Sequence, residues 1–186
     1  MKDKEILDHL IALRNDLFDL HWAIFAGTGC FMYGSGRAPT DIDILLRDEE
    51  VPLFEQRLSK AFGEEENKFE HSLKLHLGRV EVVACLYVKT ETGRHHFYLD
   101  ELMFAHIKRR CLLGRYFPVL SKEDIIVLKA MLRRGPEAGK HDFEDIRAIW
   151  NDCVDTDYIK RRAFLCDASR VIDTTLDQLD ILHSTC

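Results

Sequence analysis

The pattern of hydrophobic and polar positions predicts alternating helices and strands over the first 46 residues. Leucine and isoleucine recur every three or four positions over residues 4–20, which predicts an amphipathic helix. The apolar run 23–26 predicts a buried strand, and residues 30–33 favour a short helix. A second buried strand is predicted over 41–46, where aspartate and isoleucine alternate before two leucines.

The alternation continues to residue 88. Asp48 is predicted to cap a helix that begins near Pro52 and ends at Gly63. Polar and apolar residues alternate over 69–77, which predicts a strand with one buried face. A tight turn then leads to the apolar run 80–88, which predicts a central strand. Strands that alternate with helices are typical of an α/β layer.

The stretch between residues 93 and 115 is rich in Arg, Lys and His. Its apolar spacing predicts a helix over 99–112, followed by a short strand over 116–120. Pro118 cannot donate a hydrogen bond to a neighbouring strand, so we expect this strand at an edge of the sheet. A solvated helix face is the ordinary explanation of the basic charges, and a binding site for a triphosphate or an RNA backbone is the alternative.

Helices are predicted for the rest of the chain. Ser121 and Asp124 are close to a capping box, which predicts the start of a helix that runs over 123–134. A Gly- and Pro-containing break follows, and then a second helix over 140–150. The tail, 155–186, has the spacing of one or two further helices.

Composition narrows the class of protein. The 186 residues are 46% hydrophobic and 31% charged, as in soluble globular proteins, and we expect a core over 1–120 with a helical region, 121–186, packed on it.

No apolar run approaches the roughly 20 residues that span a bilayer. The N-terminus lacks the apolar core of a signal peptide, and the six cysteines lack disulfide or zinc spacing. We therefore expect a cytoplasmic protein that does not bind membranes. The net charge of −6 argues against a general nucleic-acid coat.

The chemistry is concentrated around Asp41 and Asp43. Side chains alternate faces along a strand, so these two carboxylates are predicted to point the same way. Adjacent carboxylates repel each other unless a cation lies between them, and a hard divalent ion is the natural occupant. The turn at Gly27 and Thr28 offers backbone N–H groups to a phosphate oxygen if it begins a helix.

A third acidic residue, Glu81, interrupts the apolar run of the central strand. An acid in such a run is costly to bury unless it is paired or bound to a metal. Glu81 is therefore the predicted third carboxylate of the site. The alternative is that Glu81 emerges at the strand end and faces water, with Asp41 and Asp43 as solubilising charges.

The turn, the spacer and the Asp-x-Asp pair resemble the core motif of the DNA polymerase beta-like nucleotidyltransferase superfamily. Gly27-Thr28 stands at the turn of that motif, where Gly-Gly or Gly-Ser is usual, and Asp41-Ile42-Asp43 matches the carboxylate pair. Arg37 and Thr40 also approximate an Arg-x-Thr-x-Asp-x-Asp run, with one extra residue after the arginine. The resemblance implies a mixed twisted sheet flanked by helices.

Two later motifs are similar to one branch of that superfamily, the type IV abortive-infection toxins and related minimal nucleotidyltransferases. These motifs are Ser-x-Glu-Asp-Ile-Ile-x-x-Lys, which ends at Lys129, and Lys-x-Asp-x-x-Asp-Ile, which contains Asp142 and Asp145. The resemblance implies a phosphate-binding role for Lys129 and an auxiliary role for Asp142. It also implies a possible cognate partner of the antitoxin kind.

The resemblance implies transfer of an NMP from an NTP to a hydroxyl of RNA, protein or a small molecule, with release of pyrophosphate. Two Mg²⁺ ions would be held by Asp41, Asp43 and Glu81, with Glu81 able to accept the hydroxyl proton. Gly27, Thr28, Lys129 and Arg37 would contact the triphosphate. Two alternatives stay open: an inactive nucleotide- or protein-binding module of the same fold, and an antibiotic-modifying adenylyltransferase.

Overall fold

The structure is a computed structural model that describes residues 3–13 and 15–180. Its strands are β1 Trp22–Ile24, β2 Ile42–Leu46, β3 Gly63–Glu66, β4 Glu70–Leu77, β5 Val80–Thr90, β6 Gly93–Phe97, β7 Lys108–Leu112 and β8 Arg115–Val119. Its α-helices are α1 Asp3–Leu13, α2 Ala26–Met32, α3 Val51–Leu58, α4 Glu101–His106, α5 Lys122–Leu132, α6 Asp142–Ile149, α7 Thr156–Leu165 and α8 Ser169–Gln178. Two 3₁₀ turns cover Asp48–Glu50 and Pro136–Ala138.

The described strands form one mixed sheet in the order β3-β4-β5-β2-β1-β8-β7, and β6 pairs with the second half of β5. β2 is parallel to β5 and β1 is parallel to β8, while the other pairs are antiparallel. Helices flank this sheet, so the predicted mixed α/β fold is confirmed. No helix in the described part of the chain combines the length and the apolar character needed to cross a membrane.

Helix α5 is the centre of the helical layer. Its residues from Glu123 to Leu132 are all buried, because α5 contacts β5 on the sheet and α2, α6, α7 and α8 around it. Ser121 caps its N-terminus by accepting a hydrogen bond from the Asp124 backbone N–H at 3.1 Å, as the sequence predicts. The C-terminal helices therefore hold α5 against the sheet, and α5 presents its side chains to the pocket described below.

Two predicted helices are shorter than expected. Helix α1 ends at Leu13, and the residues before β1 form turns in which Leu17 and Leu20 are still buried. Helix α3 ends at Leu58, followed by Ser59 in the left-handed region (φ 51°), and residues 63–66 form the exposed strand β3. In both places apolar residues continue the helical spacing without being helical: Leu17 and Leu20 are buried, and Phe62 is partly buried.

Asp48 does not cap α3, contrary to the prediction. Its carboxylate accepts the backbone N–H of Cys85 at 2.7 Å and contacts His96 Nε2 at 3.1 Å. Cys85 has a positive φ of 49°, which marks an irregularity in β5. Asp48 therefore joins the 3₁₀ turn to the sheet at that irregularity.

The prediction for residues 99–120 is wrong in two respects. The helix ends at His106, and 108–112 form strand β7 instead, because Leu113 and Gly114 close a tight hairpin with positive φ angles of 48° and 80°. β8 is not an edge strand, since it lies between β1 and β7. Its single register pair with β1, Ile24 with Val119, lies beyond Pro118.

The tail confirms its predicted helices with α7 and α8, while Ile181, Leu182 and Cys186 lie outside the described residues. The five cysteines within the described residues are free thiols: Cys30, Cys85, Cys111, Cys153 and Cys166.

Candidate active site

The parallel pairing of β2 with β5 brings the predicted carboxylates together. Asp43 and Glu81 are direct register partners, and Asp41 lies immediately before β2 on the same side as Asp43. The neighbours Ile42 and Ile44 are fully buried on the opposite side, which fixes the alternation. All three carboxylates line one pocket of about 350 Å³.

Negative charge is not fully compensated around the three acids, and the effect is clearest at Asp43. Burial in the pocket raises the pKa of Asp43 to about 7, and the negative charges of Asp41 and Glu81 act in the same direction. Lys129 and Lys140 oppose this shift without cancelling it. An added cation at this position would therefore be strongly favoured by Asp43.

Glu81 is partly engaged by basic neighbours. Its Oε2 lies 3.6 Å from Lys74 Nζ, and its Oε1 lies 3.7 Å from His76 Nδ1. Within residues 3–13 and 15–180, no three His, Cys, Asp or Glu side chains converge on one metal-sized position. The metal-ligand assignment of Asp41, Asp43 and Glu81 stays a prediction.

Strand β4 contributes a polar wall to the same pocket. The pairing register of β4 with β5 shifts between His71 and Leu73, so Glu70 is buried although the sequence pattern predicted the other face. Glu70 accepts a hydrogen bond from Lys74 Nζ at 2.8 Å and lies 3.5 Å from Arg134 Nη1. These paired charges make burial of the carboxylate possible.

The turn predicted at Gly27 and Thr28 is the first turn of α2. Gly27 lines the pocket, and a Cβ added there would point toward Asp43 Oδ2 at 3.9 Å. Thr28 is fully buried, and its hydroxyl donates to the backbone carbonyl of Asp41 at 2.8 Å. This bond fixes the entry to β2, so Thr28 positions Asp41 and its hydroxyl is not directed at the pocket, contrary to the predicted phosphate contact.

Lys129 lies inside a buried charge cluster. Its Nζ is 3.0 Å from Asp142 Oδ1 and 2.7 Å from Asp145 Oδ2, and the side chain is only 3% exposed. Burial disfavours ionisation of Asp142, but the charges of Lys129 and then Arg134 outweigh it and lower the pKa of Asp142. The predicted common face of Asp142 and Asp145 is therefore directed at Lys129. The two carboxylates offset the positive charge of the Lys129 ammonium, which weakens its attraction for an anionic ligand.

The two aspartates of that cluster also hold two arginines at the pocket. Arg37 donates from Nε to Asp145 Oδ1 at 3.2 Å and remains 42% exposed. Arg134 donates from Nε to Asp142 Oδ2 at 2.9 Å. Both arginines line the pocket, and the contact of Arg37 with the triphosphate stays a prediction.

Sequence reasoning missed three basic residues that line the same pocket, namely Lys74, Arg134 and Lys140. Lys140 differs from the others because its ammonium forms no hydrogen bond or ion pair within the described residues. The sequence contains a feature that could have identified Lys140, because it is the first residue of the Lys-x-Asp motif that includes Asp142. Lys74 and Arg134 carried no comparable signal, because their placement depends on the strand register and on the end of α5.

No protein-family model matches the sequence, and no curated protein matches it. Solved structures do match. One is a proposed nucleotidyltransferase from Thermotoga maritima, with 18% identity over 65% of this chain and 80% of that chain, and a TM-score of 0.50. Another is the antibiotic-resistance factor ANT(2'')-Ia in solution, with 13% identity over 98% of this chain and 97% of that chain, and a TM-score of 0.50.

A third match, the lincomycin-bound lincosamide antibiotic adenylyltransferase LnuA, has a TM-score of 0.46, with 18% identity over 80% of this chain and 96% of that chain. At these identities the first two structures establish architecture and leave substrates open. Their likeness to this chain concerns the mixed sheet flanked by helices. The chain has the nucleotidyltransferase fold.

Proposed function

We propose that this protein is a Mg²⁺-dependent nucleotidyltransferase that moves an NMP from an NTP to a hydroxyl acceptor and releases pyrophosphate. The observation that carries the proposal is the register of β2 with β5, which places Asp43 beside Glu81 and both beside Asp41 in one pocket. Such a group of acids has an energetic cost in a folded protein unless it serves a cation.

The three carboxylates fit the proposed Mg²⁺. They supply only oxygen donors, which this ion prefers, and a divalent cation beside Asp43 would relieve the repulsion that raises its pKa. Asp41 and Asp43 would hold two ions, and Glu81 would complete the set in place of its contacts with Lys74 and His76. The bound ions supply neutralisation of phosphoryl charge and a lower pKa for the attacking hydroxyl.

The protein's own groups position the substrates and move the proton. The acceptor oxygen forms a bond to the α-phosphorus while the bond from that phosphorus to the bridging oxygen of pyrophosphate breaks, and Glu81 accepts the hydroxyl proton. Gly27 lets the triphosphate approach the backbone of α2, and Lys140 and Arg37 offset its charge. Lys129 positions Asp142 and Asp145, which in turn orient Arg134 and Arg37.

The acceptor in this proposal is RNA, a protein or a small molecule. The motifs that contain Lys129 and Asp142 support a branch similar to the abortive-infection toxins. If the protein belongs to that branch, we expect an antitoxin-type partner. The buried cluster that these two residues form explains the spacing of both motifs, since it joins α5 to α6.

The test is a calorimetric titration of the four NTPs, with and without Mg²⁺, into the wild type and the double variant Asp41→Asn/Asp43→Asn. We expect Mg²⁺-dependent binding by the wild type and a loss of at least about tenfold in affinity for the variant. The matched control is Asp173→Asn/Asp177→Asn, which removes the same two charges from the exposed face of α8. The control should bind as the wild type does.

Two outcomes would overturn the proposal. If folded wild-type protein binds no NTP with Mg²⁺, the site has another purpose. If it binds NTP but transfers no label to RNA, to protein or to small hydroxyl compounds, and cleaves no α–β phosphate bond, the chain is a nucleotide-binding module of the same fold.

A further inference from the structure

A second concave surface lies far along the sheet from the carboxylates, between α1 with its following turns and the β7–β8 hairpin. It is a groove of about 560 Å³, and most of its lining is apolar. Four of its lining residues are aromatic side chains from separate parts of the chain, namely Phe18, Trp22, Phe104 and Tyr116. None of the three carboxylates of the candidate active site lines it.

The apolar side chains of this groove are unusually exposed. Phe18 is 79% exposed, Tyr116 is 60% exposed and Ile11 is 46% exposed, although each is large. Single exposed apolar residues are ordinary, but several that share one concavity indicate a binding surface.

The groove adjoins an open edge of the sheet. Among the strands of residues 3–13 and 15–180, β7 is the last in the sheet order and pairs with β8 alone, so the outer backbone N–H and C=O groups of β7 have no described strand beside them. Lysine and arginine on an edge strand can serve merely to prevent edge-to-edge association. That explanation covers the basic residues of β7, but it does not cover the exposed apolar groove next to them.

The charged residues that line the groove are of one sign. Among the described residues that line it, the charged ones are Arg109 and Arg115, and no carboxylate lines it. The net charge of the whole chain is −6, so these two arginines stand out from its average charge. Lys108 and Arg110 of β7 line a different pocket, where Arg110 Nε donates to the carbonyl of Met32 at 3.2 Å. A second copy of this chain is a poor occupant, because a two-fold interface at this patch would place its arginines opposite the same arginines.

We propose that this groove binds an acidic amphipathic segment of a partner protein. The segment places large apolar side chains in the groove and carboxylates against Arg109 and Arg115, and its backbone lies along β7 as an added strand. RNA phosphates match the positive charge equally well, but they do not fill a groove lined with leucine, isoleucine and phenylalanine. The proposal does not depend on the transferase activity, because the groove and the acidic pocket share no lining residue.

The test uses two labelled peptides of about 12 residues and fluorescence anisotropy. In the acidic peptide Leu and Phe alternate with Glu, and in the matched peptide Lys replaces every Glu. We expect the acidic peptide to bind at least about tenfold more tightly than the basic one. Phe18→Ser and Arg115→Glu should each weaken its binding by about tenfold or more.

The matched control variants are Phe164→Ser and Arg161→Glu, which change an equally exposed phenylalanine and an exposed arginine on α7. Both should bind the acidic peptide as the wild type does. Equal binding of the two peptides, or binding that is insensitive to Phe18 and Arg115, would overturn the proposal.

Two further readouts complete the test. A single-stranded RNA oligonucleotide that binds more tightly than the acidic peptide, and that Arg115→Glu releases, would assign the basic strand to nucleic acid and overturn the proposal. Concentration-dependent dimerisation that Phe18→Ser abolishes, measured by light scattering, would assign the groove to a second copy and overturn it as well.

Discussion

Gly27 and Gly29 lie two residues apart in α2, and different neighbours limit their side chains. A Cβ on Gly27 would enter the acidic pocket, where the nearest protein atom is Asp43 Oδ2 at 3.9 Å. A Cβ on Gly29 would lie 2.6 Å from Ile125 Cδ1, at the contact between α2 and α5. Gly29 therefore serves helix packing, while the space beside Gly27 is free for a ligand.

This difference predicts opposite results for two alanine substitutions. Gly27→Ala should leave the free energy of unfolding unchanged or raise it by up to about 1 kcal/mol, because alanine favours a helix more than glycine does. It should nevertheless weaken NTP binding by about tenfold, since the methyl group occupies the proposed path of the triphosphate. Denaturant unfolding and NTP titration of the same sample measure both effects.

Gly29→Ala is the matched control in that experiment. It should lower the free energy of unfolding by about 1–3 kcal/mol through overpacking against Ile125, with nucleotide binding retained in the folded fraction. If instead Gly27→Ala destabilises the fold and keeps nucleotide binding, the triphosphate does not pass beside α2.

At the scale of single residues, the sequence could predict which acids lie together in the pocket but not which basic side chains contact the acids. Asp41 and Asp43 follow from alternation along one strand, and Glu81 from its cost in an apolar run, so local rules suffice for both. The partners of Lys129 are 13 and 16 positions away, counting from residue 129 to residues 142 and 145, across a break in the helices. Whether such a lysine faces a ligand or a carboxylate is decided by packing between elements, which the pattern of one chain does not contain.

Among the elements, α7 carries one buried guanidinium that joins it to α4 and α5. Arg162 is fully buried, with Nη1 at 2.6 Å from Asp100 Oδ2 and Nε at 3.1 Å from Asp124 Oδ1. Asp100 caps α4 by accepting the Met103 N–H at 2.7 Å, and Asp124 lies in the first turn of α5. One side chain thus connects three helices.

Replacement of Arg162 should strongly destabilise the folded protein. Arg162→Met should lower the free energy of unfolding by about 3–5 kcal/mol, because two carboxylates lose their partner inside the protein. Urea or guanidinium unfolding measures the loss. The control is Arg161→Met on the exposed side of the same helix, which should change stability by less than about 0.5 kcal/mol. A loss of equal size in the two variants would show that the ion pairs with Asp100 and Asp124 contribute nothing specific.

The elements themselves show where sequence patterns fail. The apolar spacing of residues 99–112 suits a helix, yet the turn at Leu113 and Gly114 and the pairing with β8 make 108–112 a strand. Pairing between strands is a long-range interaction that overrides a weak local preference. By contrast α5 agrees with its prediction, since a capping serine and a continuous apolar pattern act in the same direction.

For the whole molecule, the contacts around α5 determine whether the predicted core and helical region unfold together. Besides the ion pair of Arg162 with Asp100, the ring of His95 contacts the carbonyl of Cys166 at 3.2 Å and Arg37 Nε donates to Asp145 Oδ1 at 3.2 Å, and each of these contacts joins residues 1–120 to residues 121–186. Separation of residues 121–186 from the sheet would also expose the side of α5 that contacts β5 and α2. We therefore predict one cooperative unfolding transition for residues 1–120 and 121–186.

The two tryptophans of the chain report on the two regions separately. Trp22 is partly buried in β1 and donates to the carbonyl of Leu17 at 3.0 Å, and Trp150 is partly buried at the end of α6. The variants Trp150→Phe and Trp22→Phe each leave one reporter. In each variant the urea midpoint measured by fluorescence should equal the midpoint measured by far-ultraviolet circular dichroism. Both midpoints come from the same variant, so a change in stability caused by the substitution affects them equally.

Coincident midpoints in both variants mean that the helical region, 121–186, and the core, 1–120, unfold as one cooperative unit. The acidic pocket then depends on α6 even though the three carboxylates come from the sheet, since Asp142 and Asp145 hold the pocket's arginines from α6. A Trp150 transition at clearly lower urea than the circular dichroism of the same variant would contradict this prediction. In that case the helical region opens independently, and opening would release Arg37, Arg134 and Lys129 from their carboxylates while leaving Asp41, Asp43 and Glu81 in place.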